Sequence, residues 1–83
     1  MTKREIISGI HPTALFAEGF DDAIIGYCDN TGRVIYSIDR CIEILMETDG
    51  MDREDAIDFL EYNAIGGYVG EMTPIWMRDL GFI

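Results

Sequence analysis

Asp39, Glu43 and Glu47 recur at i, i+4 and i+8, and Glu54, Asp58 and Glu61 recur at i, i+4 and i+7. On two helices these spacings put each set of carboxylates on one face. Between residues 39 and 61 there are nine acids and only two bases, Arg40 and Arg53, a local net charge of −7. Like charges at i, i+4 cost a helix roughly 0.2–0.5 kcal/mol per pair. Such a face can dock on a basic protein groove or imitate the spacing of phosphates. The simpler reading is a solvated face that keeps a small protein in solution. Over the whole chain, 16 acids against 6 bases give −10. That charge repels phosphate backbones and anionic membranes, so no direct nucleic-acid or membrane binding is expected, and a basic protein surface is the complementary partner.

Other chemistry is poorly supplied. Asp49-Gly50-Met51-Asp52-Arg53-Glu54-Asp55 is rich in oxygen ligands but lacks the alternating order and closing Glu of a calcium loop. It reads instead as helix stop, N-cap and acidic first turn, where the macrodipole favours carboxylates. Cys28, Cys41 and the single His11 match no zinc spacing, and the cysteines read as small buried hydrophobes rather than a disulfide. No metal and no cofactor are expected. Nucleophilic catalysis needs a base beside a Ser or Cys, and nothing in the spacing brings His11 to either. The glycines at 66, 67 and 70 follow a helical pattern and carry no Lys-Ser/Thr, so they are not a phosphate-cradling loop. No catalytic residue is assigned and the chain is expected not to be an enzyme. A minority alternative is a small polar ligand pocket, or a minor active site, formed by Asn63, Tyr68 and Glu71. Its simpler counterpart has the Asn63 amide tying the 68–70 loop back to its helix. Tyr68, Trp76 and Phe82 read as core or sheet-face aromatics that could also anchor an interface.

The elements that must position these residues are legible in part. A chain of 83 residues makes a single domain with a limited core. The longest apolar runs fall well short of the ~20 residues that span a membrane, and no signal peptide is read, so a cytoplasmic location is expected. Residues 1–19 read as a loose arm, a strand over Thr2–Ile7, or a short helix after Pro12 that Gly19 stops. Residues 23–28 (AIIGYC) and 33–38 (RVIYSI), joined by Asp29-Asn30-Thr31-Gly32, predict a β-hairpin with Gly32 in the left-handed position. A helix over 39–48 follows, with Ile38, Cys41, Ile42, Leu45 and Met46 as its apolar stripe and Ser37 or Asp39 as its cap. A second over 53–64 has Ala56, Phe59, Leu60, Asn63 and Ala64 as its stripe and Asp52 as its cap. Gly66-Gly67 stop that helix, and Thr73-Pro74 lead into a short strand over 75–77. The expected fold is α+β: a small antiparallel sheet, in the order β-β-α-α-β, covered on one face by a helical hairpin.

Three stretches, FDDAIIGY, VIYSIDRCIEILMETDGMDREDAIDFLEYN and GGYVGEMTPIWM, together resemble a family of small uncharacterised tailed-phage and prophage proteins. Members share an acidic-plus-Asn helix end, a glycine, an aromatic, a second glycine and a Thr-Pro strand. The resemblance covers residues 20–77 and implies a phage accessory protein acting in the host cytoplasm; it brings no catalytic residue. The expected function is therefore a non-catalytic accessory protein that binds a basic host or phage protein through its acidic helices. Its sharpest form is an inhibitor of a nucleic-acid-processing or defence enzyme. The alternative is an assembly module that forms a homodimer through its last strand.

Overall fold

The computed structural model describes residues 1–80. Its elements are α1 (Lys3–Ile10), a 3₁₀ turn (Asp21–Ala23), β1 (Ile24–Tyr27), β2 (Val34–Ser37), α2 (Ile38–Thr48), α3 (Arg53–Leu60), a π turn (Glu61–Ile65) and β3 (Ile75–Met77).

Residues 1–19 correct the expectation most. Thr2 to Ile7 is neither strand nor arm. The Thr2 hydroxyl accepts from the Glu5 N–H at 3.1 Å and the Glu5 carboxylate accepts from the Thr2 N–H at 3.0 Å, a reciprocal cap that starts α1. The Thr2 N–H, and after it the Thr2 hydroxyl, hold the Glu5 carboxyl below its ordinary range. The helix is fastened to the body by three contacts. Ile7 is buried in the core, Lys3 donates to the Ile24 carbonyl at 2.9 Å, and Arg4 reaches Glu18 and Asp21, both at 3.1 Å, while lying over the Phe16 ring. The segment after Pro12 is a turn and then irregular chain, not a helix. The Ala17 N–H, which a helix would aim at a carbonyl one turn back, donates instead to the Tyr36 hydroxyl at 2.8 Å.

The hairpin forms as its turn residues dictate. Strands β1 and β2 are antiparallel, with a bulge between Ile24 and Gly26. Gly32 closes the turn at φ +77°, and a Cβ there would stand 2.7 Å from His11 Nδ1, so both backbone and space require glycine. Strand β2 then runs into α2 without a linker: Ser37 is the last strand residue and also the N-cap, accepting from the Arg40 N–H at 3.2 Å. Gly50, at φ +68°, follows the end of α2. Asp52 caps α3 through the Asp55 N–H at 2.8 Å.

The class is α+β, but the sheet is mixed rather than antiparallel. Its order is β1-β2-β3, and β3 runs parallel to central β2, with Tyr36 opposite Trp76. Parallel neighbours need a crossover of a dozen or more residues. Here residues 38–74, carrying α2 and α3, provide it and return the chain to the sheet in the same direction. The core lies between sheet and helices. Ile24, Val34 and Tyr36 meet Cys41, Ile42, Ala56 and Leu60, all at most 1% exposed.

Two helical stripes also need correction. On α2 the buried set is Cys41, Ile42, Ile44 and Leu45, with Ile38 half-buried and Met46 at the surface. On α3 only Ala56 and Leu60 are buried; Phe59 lies at the rim and Asn63 is exposed. Regular α-helix ends at Leu60 rather than Ala64, and the next five residues form the wider π turn.

Candidate interaction face

The six predicted acids separate into two groups. On α2, Asp39 meets Arg78 at 2.9 Å, and Arg40 meets Glu43 at 3.2 Å and Glu47 at 3.6 Å. Each arginine lies close enough to offset carboxylate repulsion locally. On α3, Glu54, Asp58 and Glu61 are exposed, and among the described residues none has an ion pair. Asp55 joins them. Their positions oppose the helix dipole as well as one another: Asp58 stands in the last turn and Glu61 at the C-cap, where carboxylates are unfavourable, and no base stands in that turn.

Beside these acids lies a shallow groove. Met51, Phe59 and Tyr62 give it apolar surface, and Asp55, Asp58, Glu61 and Asn63 border it. Tyr62 is 90% exposed. It belongs to the π turn, which inserts an extra residue per turn and recurs at functional sites. The sequence reading missed Met51, Phe59 and Tyr62 as a surface. The i, i+3 spacing of Phe59 and Tyr62 is the available signal, but helical periodicity alone assigns Phe59 to the core.

The trio Asn63, Tyr68 and Glu71 is not assembled into a pocket. Asn63 donates to the Phe59 carbonyl one turn back, at 3.0 Å, and so does not tie the following loop. Thr73 does that instead. Its hydroxyl accepts from the Val69 N–H at 2.9 Å and donates to the Gly70 carbonyl at 2.6 Å, while its own carbonyl accepts from Arg33 Nε at 2.6 Å. Tyr68 is 78% exposed and Glu71 is exposed. Asn63 borders an apolar cleft of about 350 Å³ with Leu15, Phe16, Phe20, Val69 and Trp76, and neither Tyr68 nor Glu71 lines that cleft. The Trp76 ring is stacked on Tyr36 at 5.0 Å, and its Nε1 is buried without a hydrogen-bond partner among the described residues. Phe82 lies outside the described residues.

Both cysteines are free thiols. Cys28 is half-buried in the hairpin turn, and the Thr31 hydroxyl, then the Thr31 and Asn30 N–H groups, hold its pKa below the ordinary thiol value. Burial pushes Cys41 up to about 12. His11 packs edge-on against Tyr27 with ring centres 4.9 Å apart. Among the described residues no group of three His, Cys, Asp or Glu side chains could hold a metal ion, and no helix is long and apolar enough to cross a membrane. No protein-family model matches the chain, and no curated protein or solved structure matches it either.

Proposed function

We propose that this chain is a small, acidic, non-catalytic accessory protein of phage type, working in the host cytoplasm by binding a basic protein surface. The observation that carries the reading is the division of the acidic stripe. Asp39, Glu43 and Glu47 are matched by Arg78 and Arg40, whereas Glu54, Asp58 and Glu61 have no ion-pair partner among the described residues. Evenly solvated charge would serve solubility on either helix. Carboxylates that repel one another and oppose their own helix dipole are relieved when a cationic partner docks. The sharpest version is an inhibitor that covers the basic groove of a nucleic-acid-processing or defence enzyme.

The test compares two charge-reversed proteins against a purified basic partner. Glu54→Lys with Asp58→Lys and Glu61→Lys lowers affinity by roughly threefold to a hundredfold, since exposed charge pairs contribute about 0.2–1 kcal/mol each. Glu43→Lys with Glu47→Lys has the smaller effect. Circular dichroism checks that both still fold. Equal affinity of the wild-type and α3-reversed proteins would sink the reading.

A second reading has one observation in its favour. Strand β3 is at the sheet edge, paired only with β2 among the described residues, and an unpaired edge is a template for another chain. An assembly module built this way sediments as a homodimer at micromolar concentration and loses the dimer on Ile75→Pro. A monomer at every accessible concentration excludes it.

A further inference from the structure

We infer that the groove on α3 is the seat for a basic peptide segment carrying one large apolar side chain flanked by arginine or lysine. This rests on the reading that the α3 face binds a basic protein, and it specifies how. The groove offers two unlike surfaces side by side. Phe59 and Tyr62, spaced i, i+3, present aromatic area that the core does not use: Phe59 is 37% exposed and Tyr62 is 90% exposed. Met51 also lines the groove. Asp55 and Asp58 occur three residues apart on the same face, with Glu61 beside Tyr62, and none of the three has an ion pair among the described residues.

The choice of occupant follows from charge. A second copy of the chain would bring its own −10 to an acidic rim, and a nucleic acid would bring phosphates, so both are repelled. A cationic segment without an apolar residue would satisfy the rim and leave Phe59 and Tyr62 in water. A segment with an apolar anchor between cationic flanks covers both, with the anchor on the aromatic floor and the guanidinium or ammonium groups on the carboxylates. Aromatic anchors surrounded by charge are the usual centre of a protein interface. A cation has a further favourable position over the face of Tyr62.

The probe is a short synthetic peptide with a leucine between two pairs of arginines, titrated into the isotope-labelled full chain and followed by amide shifts. Saturable shifts are expected at Met51, Asp55, Asp58, Phe59 and Tyr62. Replacing the peptide's leucine by serine, or introducing Tyr62→Ala in the protein, weakens binding roughly tenfold, the loss of one apolar contact. Tyr62 is exposed enough that its removal leaves the fold in place, which the unperturbed part of the spectrum verifies. If affinity depends on the arginines but not on the leucine or Tyr62, the groove is not the seat while the acidic-face reading stands. Shifts centred on α2, or concentration-dependent shifts at the groove without peptide, also overturn the inference. No saturable binding overturns both readings together.

Discussion

Tyr36→Ala leaves the chain largely unfolded at 37 °C, while Tyr36→Phe folds. The phenol is fully buried on the central strand and joins three parts of the molecule. Its ring lies stacked on Trp76 of β3, its hydroxyl accepts the Ala17 N–H at 2.8 Å, and its strand position is paired with Ile24 of β1. Truncating a buried aromatic costs about 3–5 kcal/mol. At about 0.05–0.15 kcal/mol per residue, a domain of this size has only about 4–12 kcal/mol to lose. The phenylalanine variant keeps the ring and removes only the acceptor, leaving the Ala17 N–H unsatisfied at a cost of about 1–2 kcal/mol. Urea unfolding followed by near-ultraviolet circular dichroism distinguishes the two. A Phe variant as unstable as the Ala variant would show that the hydroxyl, not the ring, joins the arm to the sheet.

What could be read in advance divides along physical lines. Local signals were legible: the Asp-Asn-Thr-Gly turn, the Ser37 and Asp52 caps and the extent of α2 each depend on a few adjacent residues. The Thr2-x-x-Glu5 cap is equally local, but a strand or arm over Thr2–Ile7 leaves it unused, whereas α1 runs on through Ser8 and Gly9 as exposed residues. The direction of β3 was not legible, because it depends on where the crossover delivers the chain. The Asp39–Arg78 pair joins residues 39 positions apart, so no count of charge in a window could show that the α2 stripe is partly neutralised. The end of α3 illustrates the limit from the other side. Helical periodicity places Phe59 and Asn63 on the buried stripe, but α3 buries only Ala56 and Leu60 and leaves Phe59 at the rim, and the π turn that follows Leu60 breaks the period and leaves Asn63 exposed. The break adds Tyr62 to Phe59 as aromatic area beside acids that have no ion pair among the described residues, which is why the functional reading belongs to α3 rather than to the stripe as a whole.

Raising the pH from about 9 to about 12 destabilises the protein, and burial of the Cys41 thiol is a principal cause. The thiol is fully buried between α2 and the sheet, and loss of hydration pushes it from 9.0 up to about 12, with only Arg40 acting the other way. Below pH 9 the thiol is neutral in folded and unfolded chains alike, and the stability it permits is fully present. Above pH 9 the unfolded chain releases that proton while the folded chain retains it, so the balance moves towards unfolding until the folded thiol itself ionises near 12. Linkage at about 1.4 kcal/mol per pH unit makes the loss as large as about 4 kcal/mol across that window, a sizeable share of the total. Tyr36 adds in the same direction, because burial raises its pKa above the ordinary phenol value of 10.0. Cys41→Ala separates the contributions: it lowers stability at neutral pH by removing a buried atom, yet flattens the fall in urea midpoint between pH 9 and the onset of tyrosine ionisation. Thiol labelling gives an independent check. In the native state at neutral pH, Cys28 reacts and Cys41 does not; in urea both react. Parallel pH profiles for wild type and Cys41→Ala, or equal native-state labelling of the two thiols, would exclude Cys41 as the alkaline trigger.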